Sequence, residues 1–209
     1  MNRFSAFWKK HRIPMIVLLS LLTVALLVAR KYILLNKDVL AAGLCVNVTI
    51  EDPARESLEN SCREHLTTGD RWEKVRLSQV TMADFGKTNL EYRTDYHTLS
   101  SILSLNENGE VDLLLTDQTA LETLIRSEVF LDLRQFFPEE TLEALGAKVI
   151  YVRSSEMDPG ESYPVAVDIS ELPFVREYMT TPDRVYFSIA KNSPRQDALR
   201  LIWELICKY

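Results

Sequence analysis

From residue 44 onward, apolar positions recur with two spacings, every second residue in short runs and every third or fourth in longer ones. These are the periods of a half-buried strand and of a helix with one buried face. LCVNVTI (44–50) alternates Leu44, Val46, Val48 and Ile50 and predicts a strand. Asp52 and Pro53 then supply a cap and a first-turn proline for a helix to about Leu66. KVRLSQV (74–80) predicts a second strand, 81–93 are polar and irregular, and Asp95 precedes a helix with Leu99, Ile102 and Leu103 on one face. VDLLLT (111–116) is too apolar for a strand with a wet face and suits the centre of a parallel sheet. Asp117 is placed to cap a helix facing inward through Leu121, Leu124 and Ile125, and FLDL (130–133) predicts a short strand. Pro138 opens a helix with Glu139 and Glu140 in its first turn, where the helix dipole favours acids, and Gly146 can end it. Strands follow at 148–153, 163–169 and 184–190, with an exposed turn at 154–162. A short helix capped by Ser170 carries Phe174, Val175 and Tyr178. Ser193 and Pro194 start a final helix with Ala198, Leu199, Ile202, Leu205 and Ile206 inward. Alternating strands and helices predict an α/β layer fold with a mostly parallel sheet flanked by helices.

The pattern changes before residue 44. IPMIVLLSLLTVALLVA (13–29) holds 17 residues without a charge. As a helix it spans roughly 25 Å, near the lower limit for a bilayer crossing, and 30–35 extend it if Arg30 and Lys31 reach back to the interface. The division expected is a basic cytoplasmic segment at 1–12, a single transmembrane helix at 13–35 anchored in the lipid bilayer, a linker at 36–43 and an extracytoplasmic domain at 44–209. Basic residues ahead of the apolar run place the N-terminus in the cytoplasm. A cleaved signal peptide is the rival, although no small-x-small site follows Ala29 closely. A lipoprotein signal ending in AAGLC at Cys45 is weaker, because Leu44 is a poor residue before a lipidated cysteine.

Charge separates the same two parts. Residues 1–31 carry six basic residues and no acid, so a chain of net charge −6 leaves a body of about −12. An acidic body without a basic stripe excludes nucleic acid as a partner, since phosphate contact rests on Lys and Arg.

Candidate chemistry is sparse. His11, His65 and His97 form no metal-binding or serine–histidine pattern, and neither phosphate-cradling glycine motif is present. No catalytic residues, metal or cofactor are expected. Asp112 and Asp117 are five apart, an odd interval that sends strand side chains to opposite faces and speaks against a paired-carboxylate site. Asp117 and Asp168 both end strands, where α/β folds place ligands, and are candidate ligand contacts; Asp132 reads as structural. Tyr92, Arg93, Tyr96 and Tyr163 are the candidate recognition residues, because Tyr is enriched at interfaces, with core packing as the alternative. Cys45, Cys62 and Cys207 read as three small buried hydrophobes, with a Cys45–Cys62 disulfide left open. The NVT sequon at Asn47 falls inside an expected strand and is discounted.

VDLLLTDQTALETLIRSEVFLDL (111–133), YPVAVDISELPFVREY (163–178) and RVYFSIAKNSPRQDALRLIWELI (184–206) resemble segments of extracytoplasmic (periplasmic) solute-binding proteins with the type 2 periplasmic-binding fold. The resemblance implies a non-catalytic binding domain that recognises a small solute or a partner protein at the membrane. A body of about 165 residues is short for the family's two lobes and implies a reduced, membrane-anchored version. The alternative is a structural or assembly subunit of a membrane complex that has lost ligand binding.

Overall fold

A computed structural model describes residues 19–29, 39–66, 74–81, 89–153, 162–180 and 184–208; over 89–95 it describes the backbone alone. The chain divides into two compact units, 1–38 and 39–209. The described part of the first is one helix, residues 19–29 (α1), whose Leu and Val side chains are all exposed. Eleven helical residues span about 16 Å, and among the described residues no helix is long and apolar enough to cross a membrane. The rest of the expected 13–35 span and the basic segment at 1–12 lie outside the described residues.

The second unit is built on a six-stranded sheet. Its strands are β1 (Val39–Val46), β3 (Lys74–Val80), β4 (Leu113–Thr116), β5 (Val149–Val152), β6 (Tyr163–Asp168) and β8 (Tyr186–Ile189), in the order β3-β1-β4-β8-β6-β5. A small second sheet pairs β2 (Thr49–Ile50) with β7 (Met179–Thr180). The helices of this unit are α2 (Asp52–Leu66), α3 (Asn89–Glu107), α4 (Gln118–Ile125), α5 (Glu139–Leu145), α6 (Pro173–Tyr178) and α7 (Gln196–Lys208). Two single turns of 3-10 helix, η1 (Leu133–Gln135) and η2 (Gly146–Lys148), flank α5.

The expectation of a mostly parallel sheet is corrected. β1 runs parallel to β3 and β4, but β4–β8, β8–β6 and β6–β5 are antiparallel. An apolar strand such as β4 or β8 reports that both of its faces are covered, not which way it runs. Only ten residues separate the end of β5 from the start of β6, fewer than the dozen or so that a crossover between parallel neighbours needs.

The covering is real on both faces. Cys45, Leu113, Leu115, Val167, Phe187 and Ile189 pack on one side with α2, α6 and α7. Leu44, Val46, Leu114, Ala166 and Tyr186 pack on the other with α3 and α4. Each fully buried Leu or Phe contributes about 1.5–3 kcal/mol of transfer free energy. In β1, Gly43 lets the Leu77 side chain of β3 lean across the strand, in space a Cβ would fill.

Several local expectations also shift. β1 begins at Val39, so most of the expected linker at 36–43 is strand. α3 begins at Asn89, ahead of Asp95, inside the stretch whose polarity hid it. FLDL forms only an isolated bridge, Phe130 to Ala190, before η1. The expected Ser170 cap is corrected: α6 is entered at Leu172, an apolar residue whose side chain cannot cap it, and Ser170, two residues earlier, donates its hydroxyl to Asp168. The cysteines are all free: Cys45 and Cys62 are buried as expected, whereas Cys207 is exposed because it follows Ile206 off the buried stripe of α7. Desolvation pushes the Cys45 and Cys62 thiols up to about 12, so both stay protonated and unreactive.

Candidate functional site

Three places in the second unit gather polar or aromatic side chains. The first is the carboxyl edge of the parallel strands. Asp117 follows β4 directly and caps α4, with Oδ1 accepting from the Ala120 amide at 2.7 Å. Asn47 follows β1 in a left-handed turn, φ 59°, and its Nδ2 donates to both Asp117 oxygens at 3.2 and 3.3 Å. Asn tolerates this conformation better than most residues, which gives Asn47 a structural role at the strand end rather than one inside the strand. Asp117 is buried and its carboxylate is occupied by the cap and by Asn47.

Asp168 shares that edge, since Thr116, Tyr186 and Asp168 stand in register across β4, β8 and β6. Two strand spacings put it about 9–10 Å from the end of β4. Its Oδ1 accepts from the Ser170 amide at 3.0 Å and from the Ser170 hydroxyl, and Arg184 lies 3.6 Å from its Oδ2. Both acids therefore serve turns. The remaining sequence candidates do not join them. Tyr163 starts β6 at the opposite edge of the sheet, opposite Val152. Tyr96 is exposed on α3, edge-on to His97. The side chains of Tyr92 and Arg93 lie outside the described residues.

The second place is the amino end of β4. Asp112 is fully buried and accepts from the Ala42 amide at 2.7 Å, the Ser193 hydroxyl at 2.8 Å and Arg195 Nε at 2.7 Å. Arg195 Nη2 donates to the Gly109 carbonyl at 3.0 Å. Gly109 has φ 64° and packs where a Cβ would crowd the Asn192 carbonyl. Every oxygen of Asp112 is used, so this cluster ties segments together and offers no free group to a substrate.

The third is a groove of about 430 Å³, open to solvent, between η1–α5 and α7. Asp132 positions Arg134 on its near wall. It accepts from the Arg134 amide at 3.0 Å to start η1 and pairs with the Arg134 guanidinium at 2.6 Å. The tight turn brings Phe136 and Phe137 together, with ring centroids 4.6 Å apart. Phe137 meets Trp203 of α7 edge-on at 5.0 Å, and Trp203 meets Phe187 of β8 at 4.8 Å. These edge-to-face contacts match the ring quadrupoles and lock the floor. Arg200, one turn before Trp203, lies over the Phe136 ring at 5.8 Å. Glu204 faces the same groove but reaches Lys208 at 3.8 Å. Among the described residues no carboxylate pairs with Arg200. A smaller hollow of about 240 Å³ lies between α2 and α6, lined by Ala54, Leu58, Phe174 and Tyr178.

The groove escaped the sequence reading because its aromatic residues come from segments some 65 positions apart. A partial signal existed: Arg200 and Trp203 are spaced three apart, beside the apolar stripe of the last helix. Among the described residues no group of three or more His, Cys, Asp or Glu could hold a metal ion. No family model matches this chain, and neither does any curated protein or solved structure.

Proposed function

We propose that this chain is a non-catalytic recognition domain tethered to a membrane by its N-terminal apolar segment, with its acidic body outside the cytoplasm. The observation that carries recognition is the groove between η1–α5 and α7. It combines a rigid aromatic floor with a guanidinium that has no carboxylate partner among the described residues; Phe, Trp and Arg are enriched at interfaces, and Trp and Arg among their hot spots. Anchoring draws on α1, a helix whose apolar side chains are exposed all round; such a helix belongs in a protein core or in lipid. The likeness to reduced solute-binding proteins agrees with this reading, and the occupied state of Asp117 moves recognition away from the carboxyl edge.

The test is a thermal-shift screen of the full chain in detergent against amino acids, sugars, peptides and metal ions. A true ligand at 100 times its Kd adds about 2.7 kcal/mol of stability, which is several degrees for a domain of this size. A flat screen sinks recognition of those ligand classes. Alkaline extraction of membranes tests the tether: the chain stays with the lipid if 13–35 spans it and is released if it does not.

A further inference from the structure

We infer that the η1–α5/α7 groove receives an acidic linear segment of a partner polypeptide, taking an apolar side chain onto its aromatic floor and a neighbouring carboxylate onto Arg200. The inference rests on the recognition reading above and names its occupant.

Charge selects the acid. The body carries about −12, yet the groove rim presents Arg134 and Arg200. The two guanidiniums are not equivalent. Arg134 is held by Asp132 through Nε and Nη2. Among the described residues, the partner of Arg200 is the face of Phe136 below it. Cation–π contact fixes the plane of a guanidinium while leaving its N–H edge free for a carboxylate, which it can grip with two parallel hydrogen bonds. Glu204 does not occupy that edge; its carboxylate lies 3.8 Å from Lys208, one turn further along the helix.

Shape selects a segment over a small molecule. Sites for small ligands bury most of the ligand surface, and this groove is open along its length. An open groove with an aromatic floor suits a side chain delivered by a larger partner, which covers the rim itself. The floor is also already assembled: Phe136, Phe137 and Trp203 brace one another, and the fully buried Phe187 backs Trp203 from the core, so binding orders little that is not ordered beforehand.

The experiment is fluorescence anisotropy on the full chain in detergent with labelled nonapeptides. One carries Phe between two Asp residues, a second replaces both Asp by Asn, a third replaces them by Lys, and 3-phenylpropionate competes as a free aromatic acid. The acidic peptide is expected to bind at least tenfold more tightly than the amide peptide and to weaken as salt rises. Arg200→Gln should remove about tenfold or more of that affinity, and Arg200→Glu should reverse the preference toward the Lys peptide. Arg200 is exposed, so both variants should keep the wild-type melting temperature. Equal binding of acidic and amide peptides, or no change in Arg200→Gln, overturns the inference. So does competition by phenylpropionate at the affinity of the peptide, which would make the occupant a small acid. If some compound in the thermal-shift screen stabilises the chain equally in wild type and Arg200→Gln, recognition stands and this occupant falls. If neither screen nor peptides register, both fall.

Discussion

The two ends of β4 each carry a buried aspartate, and they do opposite work. At the carboxyl end, Asp117 is a helix cap with one added partner, Asn47. At the amino end, Asp112 joins Ala42, Ser193 and Arg195, which lie 70, 81 and 83 residues away in sequence. Asp117 caps a helix and holds one distant residue, Asn47, itself 70 positions away, whereas Asp112 gathers three distant residues from two segments. The difference teaches that burial alone does not rank an acid: what matters is how many independent segments lose a partner when it goes.

Replacing Asp112 by Ala should therefore have the largest effect. It strands a mostly buried guanidinium and leaves the Ala42 amide and the Ser193 hydroxyl unpaired. Removing one partner of a buried ion pair costs about 3–5 kcal/mol, and denaturant titration should register a loss of that order. Arg195→Ala should cost a similar amount, because it leaves the Asp112 carboxylate buried without its counter-charge. The double variant should be less unstable than the sum of the two, by a coupling of about 1–3 kcal/mol. Simple additivity would mean that the knot is a set of independent bonds, and the contrast between the two ends of β4 would collapse.

Asp117→Ala tests the other end. Loss of an N-cap costs about 0.5–2 kcal/mol, and the half-buried Asn47 amide can turn toward water. The same titration should thus place Asp117→Ala well above Asp112→Ala in stability. A loss as large as that of Asp112→Ala would make the carboxyl end part of the folding frame as well, and would break the comparison outright.

The sequence exposes one of these roles and hides the other. Asp117 precedes an amphipathic run with helical spacing, so its capping is a local fact and is readable. The strands at 74–80 and 163–169, the Pro138–Gly146 helix and the inward stripe of α7 are local facts too, and they stand where the spacing puts them. Asp112 sits one residue before an apolar run, and nothing nearby marks it; its partners come from β1 and from the entry to α7. Strand direction is hidden for the same reason, since covering both faces of β8 demands the same residues whichever way it runs. The groove is hidden because Phe136 and Trp203 meet only after the sheet has brought η1 and α7 together. What a window of residues can state about itself was legible, and what depends on two distant segments meeting was not.

The smallest expected effect has the opposite sign and sharpens the comparison further. Thr116, the last residue of β4, is fully buried, and its hydroxyl has no hydrogen-bond partner among the described residues. A buried hydroxyl left unpaired costs about 1–3 kcal/mol of desolvation, while swapping it for an apolar group of the same shape removes that cost. Thr116→Val keeps the branched side chain and the β-propensity of the strand, and it should stabilise the domain by about 1 kcal/mol, read as a higher denaturation midpoint with an unchanged slope. Stabilisation would mean that the carboxyl end of β4 is held below its best stability while the amino end, with every oxygen of Asp112 satisfied, is not. Proteins leave such slack where stability is not the quantity under selection. Destabilisation by Thr116→Val would instead assign the hydroxyl a partner in the folded chain and make both ends of the strand equally well satisfied.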